Sequence, residues 1–270
     1  MEGRLAESDV EARRWVQRQV VAGTSPSVAG TVSGTFADTH PDGLPWSMAA
    51  WVGTLLRTPH TDAAARLVQL LLRTPLRDTE SLEEMTRTAV DRMIVAADQH
   101  EDSGLHRSLL NLVVELDKVR PMGESGVLAV YGTVRSRLLD PGQASNDRGA
   151  ALRDLSTLSG TLMAEHLDTE TVRNLIGDVL IDAKLAGLGK KLILKVTSLL
   201  FSILRRDPDA PTWLLSVFAI AETALEVKLA IAEALLQFEG NMPGGYAGAL
   251  KERPDCPPEV AALIVRKLQS

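Results

Sequence analysis

The sequence predicts an all-α fold, and three observations carry that expectation. No strand of five or more alternating apolar and polar residues stands out anywhere in the chain. Apolar residues instead recur every three to four positions between Ser/Thr/Asp, Pro and Gly signals that open and close helices. Aromatic residues are only 4% of a chain that is 45% hydrophobic, so the core must be built from Leu, Val, Ala and Ile, a composition that favours helix. A parallel sheet, and with it most nucleotide-binding folds, is not expected on the same grounds.

Taken in order, Ser8 with Glu11 has capping-box spacing and opens a helix through about Val21, burying Val10, Val16 and Val20. Ser25-Pro26 then supplies an N-cap and first-turn pair for a small-residue helix on which Val28, Val32 and Phe36 share a face. Pro45 begins a helix to Arg57 and Thr61 caps another to Arg73. Both finish on Leu-Leu-Arg-Thr-Pro, at 55–59 and 71–75, where a base meets the negative end of the dipole and proline forbids continuation. Ser81 with Glu84 is a second capping box, leading a helix to about Gln99. Ser103 opens the next, with Leu109, Leu110, Leu112, Val113, Val114 and Leu116 buried, and Pro121 stops it.

Gly126–Leu139 reads as helix, and Asp140–Asp147 as the clearest internal linker. Helices follow over 149–158, 160–166 and 170–185, the last capped by Thr169 and burying Val172, Ile176, Val179 and Ala183. From Leu188 to Phe238 the chain is at its most apolar. On a helical wheel Leu192, Val196, Leu199, Leu200, Ile203 and Leu204 crowd one side of the segment 188–206, with Leu194 and Phe201 near the opposite side. Such a helix should touch protein on most of its circumference and sit in the middle of an assembly. Pro211 suits the first turn of the next helix, and Leu225–Phe238 repeats the apolar pattern. Gly240–Pro258 is loop with a turn at Tyr246–Lys251. A terminal helix after Pro258 carries Val260, Leu263, Ile264 and Leu268 on one side.

Grouped as antiparallel pairs, these helices start near Pro26, Thr61, Ser103, Gly149 and Gly189, at intervals of 35, 42, 46 and 40 residues. The spacing resembles that of HEAT- and armadillo-type α-solenoids, and Asp207-Pro208-Asp209-Ala210-Pro211 looks like their inter-repeat turn. The resemblance implies irregular stacked helical hairpins forming one elongated domain over 1–270, with a softer division near 140–148. An irregular helical bundle is the alternative.

Charge and chemistry narrow the function. A net charge of -6 argues against broad attraction to nucleic acid. The lone cysteine, Cys256, cannot form an internal disulfide or a cysteine-cluster metal site. No basic leader precedes an apolar run, and no apolar stretch reaches the length of about 20 residues a membrane span needs, so a soluble, intracellular and cytoplasmic chain without a membrane partner is expected. Gly187–Lys191 imitates a phosphate loop but has Lys184 where the first glycine belongs and Lys191 where Ser or Thr would reach magnesium. The group His100, Glu101, Asp102 and His106 lacks metal-ligand spacing. His166, Glu170, Asp178 and Asp182 offer oxygen and nitrogen ligands for a divalent ion, or simply a solvated face. There is no Gly-x-Ser-x-Gly, and no histidine adjoins Cys256. Neither a catalytic residue nor a cofactor follows from these patterns.

One feature remains. Residues 188–206 contain five bases and no acid. Lys191, Lys195, Ser198, Ser202, Arg205 and Arg206 fall along one line of the helix and form the candidate binding surface. Those bases either pair with acids such as Asp178, Asp182 or Glu226, or form a ridge that reads an anionic partner. The first functional expectation is a non-enzymatic scaffold or adaptor that binds a protein partner through a groove. An RNA- or nucleoprotein-binding protein using Lys191–Arg206 is the alternative, and a helical-bundle metal-dependent enzyme the second. Phe201 is expected to lie away from the line, which weakens the RNA reading.

Overall fold

A computed structural model describes residues 79–101, 103–186, 189–240 and 245–269. The helices expected between Ser8 and Arg73 lie outside the described residues. The fold is all-α, with no strand among the described residues. The helices are α1 (Thr79–Asp98), α2 (Ser103–Asp117), α3 (Gly123–Leu139), α4 (Ser145–Gly160), α5 (Leu162–His166), α6 (Thr169–Leu180), α7 (Lys190–Leu204), α8 (Ala210–Ala219), α9 (Leu225–Glu239), α10 (Tyr246–Lys251) and α11 (Pro258–Leu268). None is long and apolar enough to cross a membrane. The chain divides into two compact units, 1–130 and 131–270.

In the first unit α1 packs on α2. The buried residues of α1, Leu82, Met85, Ala89, Met93 and Ala96, recur every three or four positions, and α2 buries Leu109, Leu110, Leu112, Val113 and Leu116. Helix is already present at Thr79, so Ser81 lies within the helix. Glu101 N–H reaches back to the Ala96 carbonyl at 3.0 Å, and His100 takes the left-handed conformation (φ 52°) usually left to glycine at a helix end. Glu101 pairs with Arg92 at 2.6 Å and His106 is buried inside α2, so this polar group closes a helical hairpin. The Asp117 carboxylate accepts from the Met122 N–H at 2.8 Å, tying the end of α2 to the start of α3.

The second unit is built in two rows. In one, α4, α7, α9 and α11 follow as successive neighbours; in the other, α6, α8 and α10 do. Helix α7 lies between α4 and α9, the central position its composition predicts. Its register against α4 is marked at two points. The Lys195 ammonium lies over Gly149 and the Arg206 guanidinium over Gly160, close enough that a Cβ at either glycine would collide with it. Both pairs are 11 residues apart, roughly 16 Å along each helix, so α4 and α7 run parallel.

Leu192, Val196, Leu199, Leu200, Ile203 and Leu204 are buried as expected. Leu194 is not: 58% of its surface is exposed, and Phe201 is half-buried. Helix α7 therefore touches protein over less of its circumference than its hydrophobicity suggests, because neighbours stand on two sides and the outward arc remains open. The linker contracts to Asp140–Ala144, since α4 is already helical at Ser145. Asp168 rather than Thr169 caps α6: its carboxylate accepts from the Thr171 N–H at 2.7 Å and the Thr171 hydroxyl at 2.8 Å, which also holds its pKa below the usual carboxylate value. Helix α6 stops at Leu180, followed by a 3₁₀ turn at Ala183–Leu185. Pro211 stands in the first turn of α8, and Gly240 ends α9 in the left-handed conformation (φ 64°).

Candidate functional site

The line on α7 is intact in three dimensions. Lys191, Ser198, Arg205 and Arg206 are exposed, and Lys195 and Ser202 are half-buried. Ser198 and Ser202 donate their hydroxyl hydrogens back to the carbonyls of Leu194 and Leu199, each at 2.9 Å, so both hydrogens are used within the helix. Burial first, then the charges of Arg153 and Lys191, push the Lys195 pKa below its ordinary value.

Acids do not neutralise this line. Among the described residues, Lys191, Lys195, Arg205 and Arg206 form no ion pair. Asp182, an expected partner, lies 3.9 Å from Arg135 and accepts from the Lys184 N–H at 2.9 Å. Asp178 is exposed and acts electrostatically on Tyr131. The expectation about Phe201 is corrected as well. The Arg205 guanidinium stands 5.9 Å from the Phe201 ring centroid, because residues four apart share one face of a helix.

At the C-terminal end of the line lies a cavity of about 240 Å³ among α4, α5, α6, α7 and α8. Leu167, Val172, Ile176, Ile203 and Trp213 supply apolar walls, while Arg173, Arg206 and Asp207 supply charge. Asp207 is positioned by its own turn. Its Oδ1 accepts from the Asp209 N–H at 3.0 Å and its carbonyl from the Ala210 N–H at 3.1 Å. Its other oxygen, Oδ2, is buried and receives no hydrogen bond, although Arg173 Nε stands 3.5 Å away. Arg173 also reaches Asp209 at 3.9 Å, so one guanidinium is shared by two carboxylates. The sequence offers only a turn at Asp207–Pro211; that Asp207 stands at the edge of a cavity depends on where α6 and α7 lie.

The other sequence-based candidates do not converge. Glu170, Asp178 and Asp182 belong to no group of three ligand-type side chains, among the described residues, that one ion could reach, and His166 is not brought together with any of them in such a group. Cys256 is half-buried, and burial together with Asp255 pushes its thiol pKa up, the opposite of what a nucleophile needs. Arg253 instead holds Asp255 through two hydrogen bonds, at 2.8 and 2.9 Å. Gly187 and Leu188 of the phosphate-loop imitation lie outside the described residues. Compared with protein-family models, with curated proteins and with solved structures, the chain gives no match.

Proposed function

We propose that the chain is a non-enzymatic helical scaffold or adaptor, with the outward arc of α7 as the docking surface for an acidic, partly apolar segment of a partner protein. One observation carries the reading: four bases on one helix line have no acid partner among the described residues. Leu194 and Phe201, seven residues and two turns apart, add an apolar pair beside those bases. That spacing matches the i, i+7 anchors through which amphipathic helices dock. The two-row order of helices in the second unit supports a stacked-hairpin scaffold of the HEAT/armadillo kind.

An RNA partner is the second reading, favoured by the Arg205–Phe201 contact, since a guanidinium beside an aromatic ring can stack an unpaired base. The net charge of -6 and the exposure of Leu194 favour protein. Fluorescence anisotropy separates them, with a labelled Glu-rich peptide bearing Leu at i and i+7 and a labelled uridine decamer as probes. The peptide should bind more tightly, and the triple variant Lys191→Glu, Lys195→Glu, Arg205→Glu should weaken it at least about tenfold, a loss of about 1.4 kcal/mol. Tighter RNA binding with a steep salt dependence transfers the line to the second reading. Binding of either probe that ignores the charge reversal removes both.

A further inference from the structure

The cavity at the C-terminal end of the α7 line differs in chemistry between its interior and its rim. Inside, Ile176 and Ile203 are buried, and the Trp213 indole stands against Gly177 of α6. Ser159 is buried there too, but its hydroxyl already donates to the Ser156 carbonyl at 3.0 Å. The rim carries Thr169 and Arg206, both exposed. The Arg206 guanidinium lies over Gly160, next in sequence to the lining residue Ser159, so its charge stands on the α4 side of the cavity.

Charge on the lining residues is uneven. Arg173 and Asp207 pair at 3.5 Å and offset each other, whereas Arg206 has no acid partner among the described residues. Its planar guanidinium suits a carboxylate held by two parallel hydrogen bonds. A second negative charge on the ligand would meet no base of its own and would be repelled by Asp207, so the complementary ligand is a monoanion. Volume sets its size. A cavity of about 150 Å³ holds a benzene ring, and sites for drug-sized ligands begin near roughly 300 Å³. At about 240 Å³ this one holds a ring or a short branched chain together with its acid group.

We infer that this cavity binds a small apolar monocarboxylate, of the size of an arylalkanoate or a short branched-chain acid. The carboxylate sits on Arg206 at the rim, and the hydrocarbon packs against Ile176, Ile203 and Trp213. This orientation leaves the charged group near water and removes the apolar group from it. The site goes beyond the proposed protein-binding line, with which it shares only Arg206. Lys191, Lys195 and Arg205 do not line the cavity, so the two readings fail separately.

The test titrates the full chain with 3-phenylpropionate and follows the Trp213 indole N–H by NMR, assigned with Trp213→Phe. The resonance should move and saturate. The amide 3-phenylpropanamide, equal in size but uncharged, should bind at least about tenfold more weakly. Acetate, which lacks the apolar part, should leave the resonance in place at concentrations where 3-phenylpropionate saturates it. Dodecanoate, too long for the cavity, should bind no more tightly than 3-phenylpropionate. Arg206→Gln should weaken the acid at least about tenfold, whereas Lys191→Gln, on the α7 line but outside the cavity, should leave its affinity within about twofold. Equal binding of acid and amide, tighter binding of dodecanoate, an Arg206→Gln variant that binds as the unaltered protein does, or no response to any probe would each overturn the proposal. The acid–amide comparison is made on the unaltered protein, so it decides the matter even where a variant fails to fold.

Discussion

Helix α4 meets cations on two sides, and it treats them differently. Toward α3 it presents Asp154, whose carboxylate receives a 3.0 Å hydrogen bond from Arg137; the two side chains are 3% and 4% exposed. Toward α7 it presents Gly149 and Gly160, and on those bare backbone patches lie Lys195 and Arg206 with no acid. A buried charge has no water to hydrate it and is tolerated only when paired. A charge laid over glycine at the rim keeps part of its hydration and needs no partner in the fold. Arg137 thus belongs to the structure, whereas Arg206 is left with capacity for a ligand.

The largest expected effect lies on the paired side. Arg137→Met removes the guanidinium bound to the buried Asp154 carboxylate and should lower unfolding free energy by about 3–5 kcal/mol, seen as a lower urea midpoint, while Arg137→Met with Asp154→Leu should recover part of that loss. A double variant as unstable as the single one would mean that the ion pair itself stabilises the fold.

Leucines sharpen the same contrast between buried and open sides. Leu199, fully buried on α7, should cost about 2–5 kcal/mol when cut to alanine. Leu194→Ala, five residues earlier but 58% exposed, should stay within about 0.5 kcal/mol and weaken the acidic peptide instead. Equal losses at both positions would show that the outward arc of α7 is covered.

Tyr131 tests the interior where α3 meets α6. Its hydroxyl donates to the Leu175 carbonyl at 2.6 Å, and burial, ahead of any charge, raises its pKa from 10.0 to about 12. A folded pKa above the unfolded one means that the phenol's contribution is complete below pH 10 and is lost as pH rises toward 12. Tyr131→Phe should cost about 1 kcal/mol at pH 8 and remove that alkaline step from a stability-against-pH curve.

The smallest effect belongs to Lys195. Its folded pKa is lowered by burial and by Arg153 and Lys191, so its positive charge opposes folding below the folded pKa, and this cost disappears as pH rises through the unfolded value of 10.5. Lys195→Met should therefore leave stability at pH 7 unchanged or slightly higher, most visibly at low salt, while reducing affinity for the acidic peptide. A clear loss of stability would reveal a partner for this lysine within the fold.

Much of the fold was legible because it rests on local signals. Helical periodicity marked α2, α7, α9 and α11, and Pro211 and Pro258 marked the starts of α8 and α11. Boundaries depended on finer competition. Asp168 captured the α6 cap from Thr169 because its carboxylate reaches both the backbone and the hydroxyl of Thr171. Of the candidate site, the line from Lys191 to Arg206 could be drawn from residue spacing alone, since a helix fixes which side chains share a face. The cavity could not. Arg173, Asp207 and Trp213 come from three segments, and nothing local to any of them indicates that they line one space.

The sequence by itself determined that the chain is helical, that the helix beginning at Lys190 is central, and that its bases form one line. Each follows from periodicity and composition within a few turns of chain. Only the tertiary structure decided that the line lacks acid partners, that Leu194 and Phe201 belong to the open arc, and that one oxygen of Asp207 is buried without a donor. Pairing, exposure and cavity formation depend on which distant helices stand beside one another, and here α7 stands between α4 and α9.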